Sequence, residues 1–173
     1  LDSIRSSLDQ LIENINLTIL DCSGNKIKTL PILSNNIKLE ELDCSRNLLD
    51  SLPDLSSNSL LTSLNCQENN LKEIVNLTNT KLQVLNCKDN QLTNLEQLPN
   101  SLLELFCENN QLETLPDLSS LINLKTLRCE NNQLVKLPDL SGNIALYEVN
   151  ISKNKFDFSD AREILIIDTL PKL

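Results

Sequence analysis

Histidine, methionine and tryptophan are absent from this sequence, glycine occurs twice, and aromatic residues make up 2% of it. Each gap removes a class of function. Without histidine there is no histidine-based triad, no imidazole general base and no His-ligated metal. Gly24 and Gly142 alone do not make a glycine-rich loop that cradles phosphate. Positive charge is also scarce. Fifteen Lys and Arg stand against 24 Asp and Glu, a formal net charge of −9. Nucleic acid and anionic membrane surfaces are therefore poor partners. No apolar run approaches the roughly 18 residues of a membrane-spanning helix, so no membrane insertion is expected. The carboxylates alternate with polar residues, and nothing obvious desolvates them. No cofactor and no catalysis by this chain alone are expected.

A core so poor in aromatics has to be built from leucine, and the leucines are periodic. Residues Leu82 to Leu92 read L-x-x-L-x-C-x-x-N-x-L, the consensus of a leucine-rich repeat with cysteine in its sixth slot. The first slot recurs as Leu17, Leu39, Leu61, Leu82, Leu102, Leu124 and Leu146, giving steps of 20 to 22 residues. Slot six holds Cys22, Cys44, Cys66, Cys87, Cys107 and Cys129, then Ile151. Slot nine is asparagine in every copy, from Asn25 to Asn154. Slots fourteen and seventeen are aliphatic, as in Leu52 and Leu55, and proline follows slot fourteen at Pro31, Pro53, Pro116 and Pro138. Proline and the Ser/Thr/Asn runs after it oppose a helix there.

These slots predict an α/β leucine-rich-repeat solenoid, a right-handed horseshoe. Slots three to seven should be a short strand of a parallel sheet on the concave face. Slots four and six should point inward and slots three, five and seven outward. The convex segments should be extended or 3₁₀. Three parts are expected: a helical cap over residues 1–16, seven repeats over 17–156, and a second helical cap over 157–173. Ile4, Leu8, Leu11, Ile12 and Ile15 supply the apolar side of the first cap, and Ile164, Leu165, Ile167 and Leu170 that of the second.

The slot-nine asparagines should form a structural ladder, pairing backbone groups that each turn leaves open. Asn109, one slot before the ladder, should face solvent and tolerate alanine. The six cysteines invite disulfides or a metal, but their spacing opposes both. Same-slot positions on adjacent strands keep Cβ atoms about 4.8 Å apart, beyond the usual disulfide separation, and a straight row does not converge on one ion. A ladder of buried free thiols is expected. Three glycosylation sequons, at Asn16, Asn76 and Asn150, match chance in a chain this rich in Asn, Ser and Thr.

The outward slots are mostly polar, with one exception. Phe106 occupies slot five, with Val84 near it on the preceding rung, Arg128 on the next, and Leu103 and Tyr147 toward the sheet edge. Aromatic and Arg residues are the usual anchors of protein interfaces. Val84, Leu103, Phe106, Arg128 and Tyr147 are therefore the candidate partner-binding residues. Glu104, Glu108, Glu130 and Glu148 would form an acidic rim favouring a basic protein partner. Asp21, Glu41 and Asp43 make a separate acidic corner near Arg46 on the N-terminal rungs. The chain is expected to be a monomer.

The slot-six cysteines make the sequence resemble bacterial leucine-rich-repeat proteins of the cysteine-ladder internalin branch. The stretch from Leu98 to Pro116 is similar to the repeats of secreted effectors of the IpaH and YopM type. The resemblance covers about residues 17–156. It implies an adhesin, virulence or host-directed protein that recognises other proteins, secreted, on the cell surface or delivered into a host. Two departures stand beside it: the second proline those effectors usually carry in the outer segment is missing in most repeats, and no ligase domain is present. A substrate-recognition half of a larger enzyme, such as a ubiquitin ligase, and a spacer in a surface protein are the alternative readings.

Overall fold

The computed structural model describes residues 10–157. Seven three-residue strands, β1 (Ile19–Asp21), β2 (Glu41–Asp43), β3 (Ser63–Asn65), β4 (Val84–Asn86), β5 (Glu104–Phe106), β6 (Thr126–Arg128) and β7 (Glu148–Asn150), form one parallel sheet in chain order. Each repeat thus contributes one rung. The register joins like slots: Leu20, Leu42, Leu64, Leu85, Leu105, Leu127 and Val149 form one column. A repeating sequence imposes this register, since a slip by one residue would turn every inward leucine to solvent.

The strands are shorter than the five slots expected. The backbone ladder nevertheless runs on: Cys44 N donates to Asn65 O at 2.8 Å and Arg46 N to Gln67 O at 2.9 Å. The regular strand stops because slot eight is left-handed in every repeat. Gly24, Arg46, Glu68, Asp89, Asn109, Asn131 and Lys153 all have φ between 52° and 66°. This bend redirects the chain out of the sheet toward the outer side. A side chain there costs roughly 1 kcal/mol against glycine, least for Asn and Asp. Asn109 is exposed as expected, but its side chain also donates to Asp89 Oδ1 at 2.6 Å and accepts from Asn131 Nδ2 at 2.8 Å.

Leu39, Leu42, Leu49 and Leu55 are 0–1% exposed, and their counterparts repeat on the rungs above. One continuous leucine column therefore runs up the solenoid, each rung burying the face of the last. Among the described residues there is no α-helix. The outer segments are extended and then fold through consecutive tight turns: Asn58 N donates to Leu55 O and Leu61 N to Asn58 O, both at 3.0 Å. These are single 3₁₀-type turns rather than 3₁₀ helices. Most of the N-terminal cap, and the C-terminal cap beyond Asp157, lie outside the described residues. The described end of the first is a 3₁₀ turn at Gln10–Glu13, and Ile15 is exposed instead of packing on the core.

Both predicted ladders are present. Asn47 Oδ1 accepts from Ile27 N, and its Nδ2 donates to Cys22 O, Cys44 O and Ser45 O at 3.0–3.1 Å. One amide thereby serves two rungs. All six cysteines are buried free thiols. The Sγ–H groups of Cys66, Cys87 and Cys107 point along the stack to Asn86 O, Phe106 O and Arg128 O at 3.4–3.5 Å. Three further asparagines, not anticipated, tie neighbouring rungs in the outer turns. Asn36, Asn58 and Asn143 are fully buried, and each donates to two carbonyls across adjacent rungs. The recurrence of Asn at one late slot was their signal.

Candidate functional site

The outward side chains of the sheet form columns. Slot three runs Ile19, Glu41, Ser63, Val84, Glu104, Thr126 and Glu148. Slot five runs Asp21, Asp43, Asn65, Asn86, Phe106, Arg128 and Asn150.

Slot five has a structural task in most rungs. Its side-chain oxygen accepts from the backbone N–H two residues on: Asp21 from Ser23 and Asp43 from Ser45 at 2.9 Å, Asn65 from Gln67 and Asn86 from Lys88 at 3.4 Å, Asn150 from Ser152 at 3.2 Å. Each bond closes an Asx turn that starts the bend out of the sheet. Phe106 and Arg128 are the two rungs without this device. Their side chains instead meet each other. They are register partners, and the Arg128 guanidinium carbon lies 6.0 Å from the Phe106 ring centroid, within cation–π range. Arg128 Nε donates to Glu148 Oε1 at 2.7 Å, and Nη2 bonds the same oxygen. That pairing raises the Arg128 pKa further above its ordinary value.

The other candidates are placed less uniformly. Val84 is half-buried and diagonal to Phe106, paired in register with Glu104. Leu103 and Tyr147 occupy the slot-two column at the sheet edge, on either side of Lys125: Lys125 N donates to Leu103 O at 2.7 Å and Tyr147 N to Lys125 O at 3.0 Å. They are two rungs apart, with Lys125 on the rung between them. Tyr147 is 57% exposed. Glu104, Glu130 and Glu148 are exposed enough to edge the patch, whereas Glu108 is 8% exposed.

Glu108 and Glu130 stand in slot seven of adjacent rungs. Each has one carboxylate oxygen sealed from solvent with no hydrogen-bond donor. Burial raises the Glu108 pKa and the neighbouring Glu130 charge adds to it, while its own backbone amide, Lys88 and Arg128 pull the other way. A carboxyl whose folded pKa is raised stabilises the fold below its unfolded pKa, and that contribution is lost as pH rises through the folded value. Glu108→Gln, which removes the charge and offers Glu130 a donor, should therefore stabilise the protein by about 1 kcal/mol at pH 7. The difference from wild type should shrink as pH falls below the ordinary glutamate range. Urea denaturation of both proteins at the two pH values checks this; a penalty at pH 7 would refute it.

A shallow depression of about 350 Å³ lies on the same face, lined by residues of β1 to β5. Of the candidates, only Val84 and Phe106 line it. Its N-terminal part is built from Ile19, Asp21, Glu41 and Asp43. The acidic corner is visible in the sequence, but its union with Phe106 in one groove is not. Among the described residues no group of three or more His, Cys, Asp or Glu is placed to hold a metal, and no helix is long and apolar enough to cross a membrane.

A family model described as Leucine Rich repeats (2 copies) matches residues 15–57. Together with the seven-rung sheet and both ladders, this decides the architecture. The chain is a leucine-rich-repeat solenoid. No curated protein matches its sequence, but solved structures do. A leucine-rich-repeat protein of Leptospira interrogans is 26% identical with a TM-score of 0.66, over 95% of this chain and 50% of that one. The functional domain of InlJ from Listeria monocytogenes, which includes a cysteine ladder, is 32% identical with a TM-score of 0.60, over 87% of this chain and 38% of that one. YopM from Yersinia enterocolitica is 26% identical with a TM-score of 0.56, over 82% and 39%. This solenoid thus resembles bacterial leucine-rich-repeat proteins, including a cysteine-ladder internalin and YopM, and spans half or less of each of these three chains. Repeats of this kind build protein-interaction modules.

Proposed function

We propose that this chain is a non-catalytic recognition module whose strand face binds a protein, with Phe106 and Arg128 at the centre of the contact. The observation that carries this reading is the break in slot five. Five rungs use an Asp or Asn there to close the turn, while β5 and β6 give up that bond for a half-buried aromatic and a guanidinium. These are the side chains that most often anchor protein interfaces. Glu104, Glu130 and Glu148 lie around them, so a partner with basic character and a salt-sensitive association rate fits. A host-directed or adhesive role agrees with the resemblance to the internalin and effector repeats.

The test starts from a partner isolated with the intact chain. Phe106→Ala and Arg128→Ala should each weaken its binding by about 2 kcal/mol or more, leaving the denaturation midpoint nearly unchanged. Asp54→Asn and Asp139→Asn, which keep the outer Asx turns to Ser56 and Ser141, should not alter binding. The opposite pattern in calorimetric titrations would move the interface to the outer side.

A further inference from the structure

The N-terminal half of the strand face holds a groove with its own charge pattern. Asp21 and Asp43 are direct register partners, and Ile19 pairs with Glu41 beside them. Like charges placed opposite one another on a sheet repel, and here the relief is partial. Asn65 Nδ2 donates to Asp43 Oδ2 at 2.9 Å, and the charge of Arg46 acts on Asp21. Three carboxylates therefore share this end, and the Arg46 charge acts on one of them. Asn65 and Asn86 continue the floor, and Val84 and Phe106 close the far end with apolar surface. Ile19 is 57% exposed at the near end.

We infer that this groove takes an extended segment of the partner laid across the strands, with a Lys or Arg side chain over Asp21, Glu41 and Asp43 and an apolar side chain against Val84 and Phe106. The inference rests on the reading that the strand face binds protein, and it adds the chemistry of the recognised segment. Three features favour this occupant. The acidic end lacks an equal number of cations, so a basic side chain relieves the Asp21–Asp43 repulsion. The far end offers an aromatic ring and a valine with no charge of their own. The spacing then follows from the register. Asp43 and Phe106 lie three rungs apart, about 14 Å at the usual strand separation, and an extended chain covers that in about four residues. The recognised pattern is a basic residue and an apolar residue four positions apart.

Labelled peptides of neutral polar sequence carrying one Arg and one Phe, at offsets from one to seven, test this on the intact chain. Amide-shift titrations read the affinity and the site. The offset of four should bind best, at least tenfold tighter than an offset of one, and shift Asp43, Asn65, Asn86 and Phe106. Its affinity should fall with added salt. Glu41→Gln with Asp43→Asn, which keeps the Asx turn at residue 43, should weaken it about tenfold and flatten the salt dependence. Equal binding at all offsets, no binding at any, or indifference to the double variant would overturn the inference. The broader reading fails separately: a partner that ignores Phe106→Ala and Arg128→Ala removes it. A partner that depends on those two but not on Glu41 and Asp43 leaves it standing without the groove.

Discussion

Asn90→Ala should lower the unfolding free energy by about 3 kcal/mol, because the lost amide serves four backbone groups on two rungs. Its Nδ2 donates to Cys66 O, Cys87 O and Lys88 O at 3.0–3.1 Å, and its Oδ1 accepts from Leu71 N at 3.0 Å. The side chain is 8% exposed, so water cannot easily replace these bonds. Each buried group left unpaired costs about 1–3 kcal/mol, and the carbonyls retain part of their bonding elsewhere, which places the sum near the upper end for one site. Asn109 is the control, and a smaller loss is expected there. It is exposed but held at a φ of 55°, so Asn109→Ala should cost about 1 kcal/mol from left-handed backbone strain. Asn109→Gly should recover most of that loss, because glycine takes this conformation freely. Urea denaturation of the three variants gives the ranking. Equal losses at positions 90 and 109 would mean that the slot-nine amide is not the rung-to-rung tie described here.

The thiol ladder should resist reagents until the protein unfolds. All six cysteines are buried, and burial raises every thiol pKa. Cys22, at the open end of the stack, is pushed up to about 11, with Asp21 and Asp43 adding to the effect. Cys129 is pushed up to about 12, with help from Glu130 and Glu108. The interior thiols of Cys66 and Cys107 are raised further, mainly by burial. The thiolate is the reactive species. At mildly alkaline pH even Cys22 should react about a hundredfold more slowly than an ordinary thiol, since each unit of pKa removes a factor of ten in thiolate. Ellman's reagent should therefore find almost no reactive thiol in the native protein and all six in guanidinium. Cys22 should be modified first as pH rises, because its thiol is the least raised. Native intrachain disulfides, or one interior cysteine that reacts at the unfolded rate, would defeat this expectation.

Much of this molecule is legible in the chain itself. A period of two within each strand and of 20 to 22 between rungs fixes which residues face inward. It also fixes which stand above one another, because identical slots stacked in parallel leave one register that buries the leucines. The cysteine and slot-nine asparagine ladders follow from that alone, as does the pairing of Phe106 with Arg128. Other features needed the folded chain. The left-handed turn at slot eight is occupied by Gly, Arg, Glu, Asp, Asn and Lys, so no residue preference announces it; contacts with the neighbouring rungs impose it. The sequence also does not show that the slot-five carboxylates of Asp21 and Asp43 close turns while lining the groove. Glu108 reads as surface charge but is buried, because its neighbours in the stack cover it. The groove from Ile19 to Phe106 exists only once five rungs, about ninety residues of sequence, stand side by side at roughly 4.8 Å. Adjacency between rungs is a property of the stack, and burial, proton affinity and shape are all set by it.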